Sequence, residues 1–362
     1  LSSPGMDTYL PGAATEVTLD FSNGTQAADV NLPTFTITND GFGFSEFSAI
    51  TGTIFNVVGT DFNDNLIGNN SGNRIEGGDG NDAIFGSGNI TDVSHDTLIG
   101  GEGSDVLNGH AGDDILISAE SVHVFDIYRG DDGSDTISYE FDVVTTSSVI
   151  DLTAGTGIID GVTDNLISIE NVTGSSIGDM ITGDGNNNTL NGLGGDDTIQ
   201  DAPIGVTSND MLIGGDGNDL LIAAQGVDFY DGGDGVDTVR FVTSGFGVEV
   251  DLAANSVIND GFGNSETIMN VENVISGTGS DILRGDAGNN ILDAGSHSDI
   301  LSGGGGSDTF IADSISGIDK VEYNDAVYSA GVNVDMTTGT VTHATGTDTL
   351  IGIESILGSD GA

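Results

Sequence analysis

A nine-residue unit recurs along this chain of 362 residues, and it constrains the possible folds more than any other feature. Five copies read G-G-x-G-x-D-x-U-x without a mismatch, where U is a large apolar residue; they begin at Gly77, Gly100, Gly214, Gly232 and Gly303. Weaker copies bring the number of units to eighteen. A fixed short period is typical of a solenoid, in which each unit packs only against its neighbours.

The sixth position of the unit carries a side-chain oxygen in every copy. It is asparagine at Asn73, Asn188 and Asn290. A single aspartate in a turn needs no explanation beyond its turn propensity, but that does not account for fifteen of them in register. The fifteen aspartates are Asp64, Asp82, Asp96, Asp105, Asp114, Asp135, Asp179, Asp197, Asp210, Asp219, Asp228, Asp237, Asp281, Asp299 and Asp308.

The spacing within the unit predicts a turn followed by a strand. Glycine permits positive φ and close backbone approach, so the first six residues can form a tight turn. The x-U-x triplet predicts a short strand with its central side chain on one face. If two units make one coil, the U side chains meet inside, and coils stack about 4.8 Å apart. We therefore expect an all-β fold, a parallel β-roll or β-helix solenoid.

The stacked aspartates require a cation. Two unit charges about 5 Å apart repel by roughly 3 kcal/mol at an effective dielectric constant of about 20. Calcium accepts six to eight oxygen ligands in flexible geometry, whereas magnesium prefers a small octahedron with waters, and zinc favours His or Cys. The pattern therefore predicts that several calcium ions bind between the coils.

The charge balance excludes several partner classes. The chain has 58 acidic residues and 5 Lys plus Arg, a formal net charge of -53. Nucleic acids and anionic membrane surfaces require clustered basic residues. No stretch approaches the roughly 20 apolar residues of a membrane span, so we expect no membrane insertion. With no cysteine, the chain has neither disulfides nor a thiolate metal site.

These units resemble the calcium-binding nonapeptide repeat of repeats-in-toxin (RTX) proteins, over most of residues 59–138, 174–240 and 276–311. The resemblance implies a parallel β-roll with Ca²⁺ between turns, type I export and folding outside the cell. It implies that the fifteen aspartates are calcium ligands, and that Asn73, Asn188 and Asn290 are weaker, neutral ones. The turn carbonyls it implies belong to Gly78, Gly80, Gly101, Gly103, Gly215, Gly217, Gly233, Gly235, Gly304 and Gly306.

A second, glycine-poor pattern separates the nonapeptide runs. It ends in related segments, Ile169-Glu170-Asn171-Val172, Val271-Glu272-Asn273-Val274 and Ile353-Glu354-Ser355-Ile356. Its alternating apolar and polar residues predict strands. We expect wider coils that continue the stack; a small independent sheet is the alternative. The chain then divides into modules 1–138, 139–245 and 246–325, with the start of a fourth at 326–362.

The last five residues, 358–362, match the opening of another nonapeptide run. Solenoid ends expose unpaired strand edges unless they are capped. We therefore expect either that the chain is a fragment of a longer array or that further copies join it end to end.

The sequence favours a structural function over catalysis. Residues 174–178 fit the G-x-S-x-G spacing of a nucleophile elbow, but they lie in phase with a nonapeptide and lack the strand-turn-helix context. His110 and His297 occupy variable turn positions, where we expect solvated side chains. We predict a non-enzymatic, calcium-binding, extracellular or cell-surface protein that assembles into a scaffold, surface layer, filament or adhesin. The alternative is a non-catalytic export and folding module of a secreted enzyme; a pore-forming toxin comes third.

Overall fold

The structure is a computed structural model that describes residues 17–34, 36–43, 46–47, 56–91, 93–203, 205–241, 246–313, 316–324 and 326–358. Within these residues it is all-β apart from one 3-10 turn. The chain forms two compact units, Leu1–Ile181 and Thr182–Ala362. The four sequence modules stay a prediction. No described helix is long and apolar enough to cross a membrane.

Short strands fill the first unit, because each nonapeptide contributes one x-U-x triplet. The strands are β1 (Thr18–Asp20), β2 (Ala28–Asn31), β3 (Thr36–Asp40), β4 (Glu46–Phe47), β5 (Asn56–Val58), β6 (Asn65–Ile67), β7 (Arg74–Asp79), β8 (Ala83–Phe85), β9 (Thr97–Glu102), β10 (Val106–Ala111), β11 (Ile115–Ile117), β12 (Ile127–Asp132), β13 (Thr136–Ser138), β14 (Val149–Asp151), β15 (Thr156–Ile159), β16 (Val162–Ile167), β17 (Asn171–Thr173) and β18 (Met180–Thr182).

The second unit is built in the same way. Its strands are β19 (Thr189–Gly194), β20 (Thr198–Gln200), β21 (Thr207–Ser208), β22 (Met211–Asp216), β23 (Leu220–Ala223), β24 (Gln225–Gly226), β25 (Phe229–Asp234), β26 (Thr238–Phe241), β27 (Glu249–Asp251), β28 (Ser256–Asn259), β29 (Glu266–Met269), β30 (Asn273–Ile275), β31 (Ile282–Arg284), β32 (Ile291–Gly295), β33 (Ile300–Ser302), β34 (Thr309–Ala312), β35 (Lys320–Glu322), β36 (Asn333–Asp335), β37 (Thr340–Thr342), β38 (Thr347–Ile351) and β39 (Ser355–Leu357), with the 3-10 turn at Ala326–Tyr328.

Parallel pairing places each apolar U residue on the U residue of the next coil. In the first unit, Leu107 of β10 pairs with Ile84 of β8 on one side and with Tyr128 of β12 on the other. In the second unit, Leu212 of β22 lies between Leu190 and Tyr230. Since alternate strands along the chain join two different stacks, two nonapeptides make one coil. The predicted β-roll is confirmed within each unit.

The U side chains form the core, as predicted. All eighteen are completely inaccessible to solvent, because two facing strands and the coils on either side enclose them. They are Leu66, Ile75, Ile84, Leu98, Leu107, Leu116, Ile137, Ile181, Leu190, Ile199, Leu212, Leu221, Tyr230, Val239, Leu283, Leu292, Leu301 and Phe310.

The glycine-poor segments continue the stack as wider coils, and the alternative of an independent sheet is wrong. In the first unit, β14, β15 and β16 form an antiparallel meander, and β16 then pairs in parallel with β12. In the second unit, β27, β28 and β29 do the same, with β29 parallel to β25 and β27 parallel to β31. Each meander therefore lengthens one coil without interrupting the roll.

Candidate metal centre

The sixth-position aspartates lie inside the roll rather than on its surface. Each of the fifteen is at most 3% exposed, and the three asparagines at the same position are equally buried. A carboxylate loses its hydration on burial and needs hydrogen bonds or a cation in exchange. The structure thus brings the predicted residues into one kind of environment, two residues before each buried U side chain.

One carboxylate oxygen of most of these aspartates accepts a backbone hydrogen bond from an earlier coil. In the first unit, the N–H of Asp64 donates to Oδ1 of Asp82 at 2.7 Å, and the N–H of Asp82 donates to Oδ1 of Asp105 at 2.8 Å. We call this series the carboxylate ladder. Its further rungs are Asn73–Asp96, Asp96–Asp114 and Asp114–Asp135, and, in the second unit, Asn188–Asp210, Asp197–Asp219, Asp210–Asp228, Asp219–Asp237, Asp281–Asp299 and Asn290–Asp308.

The second carboxylate oxygen is buried without a hydrogen-bond partner in many of these residues. Among the described residues this holds for Oδ2 of Asp82, Asp105, Asp135, Asp219, Asp237 and Asp308. Native proteins leave few buried polar atoms unsatisfied, and a bound ion is one of the standard reasons for an exception. The orphaned oxygens therefore indicate that a bound ion, rather than a protein atom, is their partner.

A second oxygen converges on each orphaned Oδ2. A Cβ added to Gly77 would overlap both Oδ2 of Asp82 and the carbonyl oxygen of Gly100 in the next coil. The same holds for a Cβ on Gly214, which would overlap Oδ2 of Asp219 and approach the carbonyl of Gly232. The first glycine of the unit thus leaves a space lined by a carboxylate and a carbonyl, and both oxygens are of the type that calcium binds.

The glycines at the second and fourth positions of the unit allow adjacent turns to stack in direct contact. A Cβ on Gly101 would overlap the carbonyl oxygen of Gly78, and a Cβ on Gly103 would overlap that of Gly80. Of the ten glycines predicted to supply carbonyls, nine have φ between 86° and 142°, and Gly235 lies outside the left-handed region. The carbonyl oxygens of Gly78, Gly80, Gly215 and Gly217 lie against the glycine turn of the next coil.

Burial makes the ladder carboxylates costly to ionise. Burial, together with the charges of neighbouring carboxylates, raises the pKa of Asp82 and Asp308 to about 7 and that of Asp105 to about 9. A bound dication removes this cost by supplying positive charge at the orphaned oxygens. Carboxylate and carbonyl oxygens without sulfur or nitrogen fit Ca²⁺. The residues present therefore fit calcium, and the individual ligand assignments stay a prediction.

Glutamates from the glycine-poor segments also join the ladder, and the sequence interpretation missed them. The N–H of Asp135 donates to Oε2 of Glu170 at 2.9 Å, and the N–H of Asp237 donates to Oε2 of Glu272 at 2.8 Å. Each glutamate stands two residues before a buried valine that is paired in the parallel stack. The spacing of an acidic residue two positions before an apolar one would have identified both glutamates. They were missed because their segments lack the repeat glycines and because glutamate is longer than aspartate.

Further aspartates extend the ladder from units that lack the glycines. The N–H of Asp105 donates to Oδ1 of Asp126 at 2.7 Å, and that of Asp126 donates to Oδ1 of Asp164 at 2.9 Å. In the second unit, Asp299 donates to Asp319 and Asp308 donates to Asp348, both at 2.9 Å. The same acid-x-apolar spacing marks all of them, so a search by spacing alone would have found them.

One acidic cluster combines predicted and unpredicted residues. Ligand oxygens of Asp201, Asp210 and Asp228 lie within 4.8 Å of one another, and all three side chains are buried. Glu266 is buried nearby, with no hydrogen-bond partner for Oε1 or Oε2 among the described residues. Burial and the charge of Asp228 raise the pKa of Glu266. This cluster is a candidate cation site next to the ladder of the second unit.

The sequence singled out His110, His297 and the serine of the G-x-S-x-G segment, and the structure shows the surroundings of each. His110 is not solvated as expected: its side chain is 13% exposed and its ring stacks on Phe85, with centroids 6.2 Å apart. His297 is exposed, as predicted. In the G-x-S-x-G segment, Ser175 donates its N–H to Oδ2 of Asp179 at 2.7 Å, so this segment is a turn of the ladder.

Comparison with known proteins agrees with this geometry. The RTX calcium-binding nonapeptide repeat matches residues 58–89, 91–120, 173–200, 204–239 and 275–310. No curated protein matches the chain. Among solved structures, the extracellular lipase LipA from Serratia marcescens is similar at 14% identity with a TM-score of 0.20, over 84% of this chain and 39% of the lipase. The chain thus spans less than two thirds of the lipase.

The matched segments coincide with the ladder, the orphaned carboxylate oxygens and the stacked glycine turns. These five segments are therefore RTX calcium-binding nonapeptide repeats, and the repeats bind calcium ions at several sites.

Proposed function

We propose that this chain is a non-enzymatic structural segment that folds and stiffens when Ca²⁺ binds outside the cell. The observation that carries the proposal is the series of buried carboxylates whose Oδ2 atoms have no protein partner, as at Asp82, Asp105 and Asp219. Without a cation, the mutual repulsion of these groups opposes stacking of the coils. Calcium supplies the positive charge and the coordination that hold adjacent turns together.

A structural role agrees with the contacts of two side chains, those of His343 and Ser175, that could otherwise act in catalysis. His343 is fully buried, with Nε2 3.1 Å from Oδ1 of Asp348. Ser175 binds Asp179 in a ladder turn. These groups are engaged in holding coils together, which supports assembly or scaffolding rather than catalysis.

Calcium availability supports an extracellular or cell-surface location. Extracellular calcium-binding modules work at dissociation constants of about 10⁻⁴–10⁻³ M, and calcium at such concentrations is available outside cells. In a compartment with little free calcium the net charge of -53 would favour an expanded chain. The proposed mechanism is therefore a folding switch operated by the change in calcium concentration on export.

The test is a calcium titration of the purified chain followed by circular dichroism, with light scattering and electron microscopy on the same samples. Strand signal should appear with CaCl₂, and neither MgCl₂ nor EGTA should produce it. Particles or fibres should appear in step with the strand signal and dissolve on chelation. A D82N/D219N variant is the matched control, since it keeps both hydrogen bonds and removes two charges.

The outcomes separate the two candidate functions. A chain that folds with calcium but stays monomeric at all concentrations would exclude assembly, and would favour the export and folding module of a secreted enzyme, which needs the same fold without self-association. A chain that is equally folded in EGTA would mean that calcium does not drive folding, and the proposed switch would be wrong.

A further inference from the structure

A buried histidine in the first unit is surrounded by carboxylates that do not belong to the predicted calcium ligands. The side chain of His123 is 3% exposed, and those of Glu120, Asp142 and Asp164 are between 0% and 2% exposed. Glu120 and His123 lie in the segment between β11 and β12, Asp142 follows β13, and Asp164 lies in the β16 strand of the wide coil. The chain therefore brings three carboxylates, from three different segments, together around one imidazole.

A hydrogen bond at Nε2 fixes the orientation of the His123 imidazole ring. Nε2 of His123 donates to Oδ2 of Asp164 at 2.8 Å, because a carboxylate can only accept. The other oxygen of Asp164 accepts the N–H of Asp126 at 2.9 Å, so the carboxylate is itself held by the ladder. A carboxylate that binds one imidazole nitrogen commonly orients the other toward a metal. Here the nitrogen that remains is Nδ1.

Carboxylate oxygens gather on the Nδ1 side of the ring. Nδ1 lies 2.9 Å from Oε2 of Glu120 and 3.7 Å from Oδ2 of Asp142. One ring nitrogen of His123, a Glu120 oxygen and an Asp126 oxygen lie within 4.8 Å of one another. Further support comes from Oδ2 of Asp142, which is buried and has no hydrogen-bond partner in the described part of the chain.

This donor set differs from that of the repeats. An imidazole nitrogen with two or three carboxylate oxygens suits borderline first-row dications such as Zn²⁺ and Co²⁺, whereas Ca²⁺ prefers oxygen alone. We propose that Glu120, His123 and Asp126, with Asp142 beside them, form a transition-metal site that shares only Asp126 with the carboxylate ladder. Asp164 is the positioning residue that fixes the ring with Nδ1 toward the metal.

The test uses the full chain with calcium in large excess, so that the nonapeptide sites are filled. Co²⁺ is titrated and followed by its visible absorption, and Zn²⁺ is then added to displace it. One equivalent of Co²⁺ should bind, and the His123→Gln variant should lose it, with affinity at least tenfold weaker. The matched control is His343→Gln, because His343 is also fully buried and paired with a ladder carboxylate, Asp348; it should bind Co²⁺ like the unaltered chain.

A second measurement keeps the proposal testable if the His123→Gln variant does not fold. In the unaltered chain, nitrogen NMR of the imidazoles should show Zn²⁺ shifting Nδ1 of His123 while Nε2 keeps its proton. Asp142→Asn should weaken Co²⁺ binding and leave the calcium-dependent strand signal unchanged. The proposal is overturned if excess Ca²⁺ displaces the Co²⁺, or if no Co²⁺ binds, in which case His123 is only a buried counter-ion of the carboxylates.

Discussion

The backbone N–H of Asp64 donates to Oδ1 of Asp82 at 2.7 Å, and the two residues are eighteen positions apart. This bond joins one coil to the next with one oxygen of the carboxylate and leaves the other oxygen for a cation. The same side chain therefore has two separable tasks, the satisfaction of a backbone donor and the binding of metal.

Substitutions at Asp82 should separate these tasks. Asp82→Asn keeps an oxygen for the N–H of Asp64, so the calcium-loaded fold should survive while the calcium concentration at the midpoint of folding rises. Asp82→Ala also leaves that N–H unsatisfied and should cost a further 1–3 kcal/mol or so. Calcium titrations and urea denaturation in saturating calcium measure the two effects. Asp79→Asn, at the exposed last residue of β7, is the control and should change neither. Equal effects of both Asp82 variants would contradict this division.

Alanine at Gly103 should destabilise the roll more than its backbone conformation alone explains. Gly103 has φ of 118°, and a Cβ there would overlap the carbonyl of Gly80. Gly161 also has positive φ, 83°, but a Cβ there would meet no atom within 4 Å. Gly161→Ala should therefore cost only the left-handed penalty of about 1–2 kcal/mol.

Urea denaturation of both variants in saturating calcium gives the comparison. If Gly103→Ala were no more destabilised than Gly161→Ala, direct stacking of the turns would not be what requires glycine at this position.

Leu107→Ala should create a cavity in the core of the first unit. Its side chain is completely buried between Ile84 and Tyr128 of the adjacent coils. Loss of a buried leucine side chain costs about 2–5 kcal/mol. The neighbouring Val106 is 38% exposed, so Val106→Ala should cost less than about 1 kcal/mol. Calcium-saturated denaturation curves should separate the two variants, and similar midpoints would place Leu107 outside the cooperative core.

The calcium-free chain should gain structure as pH falls. Burial raises the pKa of Asp82 to about 7 and that of Asp105 to about 9 in the folded state, above the ordinary value of 3.8. A raised carboxyl pKa means that the folded chain binds protons more tightly than the unfolded chain. The resulting stability is fully present below about pH 4 and is lost as pH rises through 7 to 9.

Circular dichroism in calcium-depleted buffers between pH 4 and 9 tests this expectation, with light scattering to exclude precipitation near the isoelectric point. In saturating calcium the dependence should reverse, because protons compete with the metal for the carboxylates. A calcium-free strand signal that grows with rising pH would contradict the assignment of raised pKa values to the ladder.

Most of the roll was predictable because the U residue and the glycines act locally. Leu107 and Gly103 each occupy a fixed position in the nonapeptide, so the period alone predicts their place in the coil. The ladder bonds were not predictable, since they join an amide and a carboxylate from different coils. Glu170 and Glu272 were missed because a wide coil separates each from its partner by 35 residues.

The cluster around His123 shows the limit of a repeat-based interpretation. Its members come from four positions whose approach depends on how the wide coil of β14 to β16 pairs with β12. His123 itself belongs to a unit without glycines, where the repeat pattern gives no expectation for a histidine. Only the folded geometry places Asp142 and Asp164 beside it.

The hydrogen bonds of the carboxylate ladder have nearly constant lengths, whereas the number of residues between the bonded partners varies. Asp64 and Asp82 are 18 residues apart and bonded at 2.7 Å, and Asp308 and Asp348 are 40 residues apart and bonded at 2.9 Å. Regular stacking of these bonds in the fold thus does not require a regular spacing of the bonded residues along the sequence. A scaffold of this kind can accept new loops between any two rungs, so insertions can add binding surfaces to it without redesign of what holds it together.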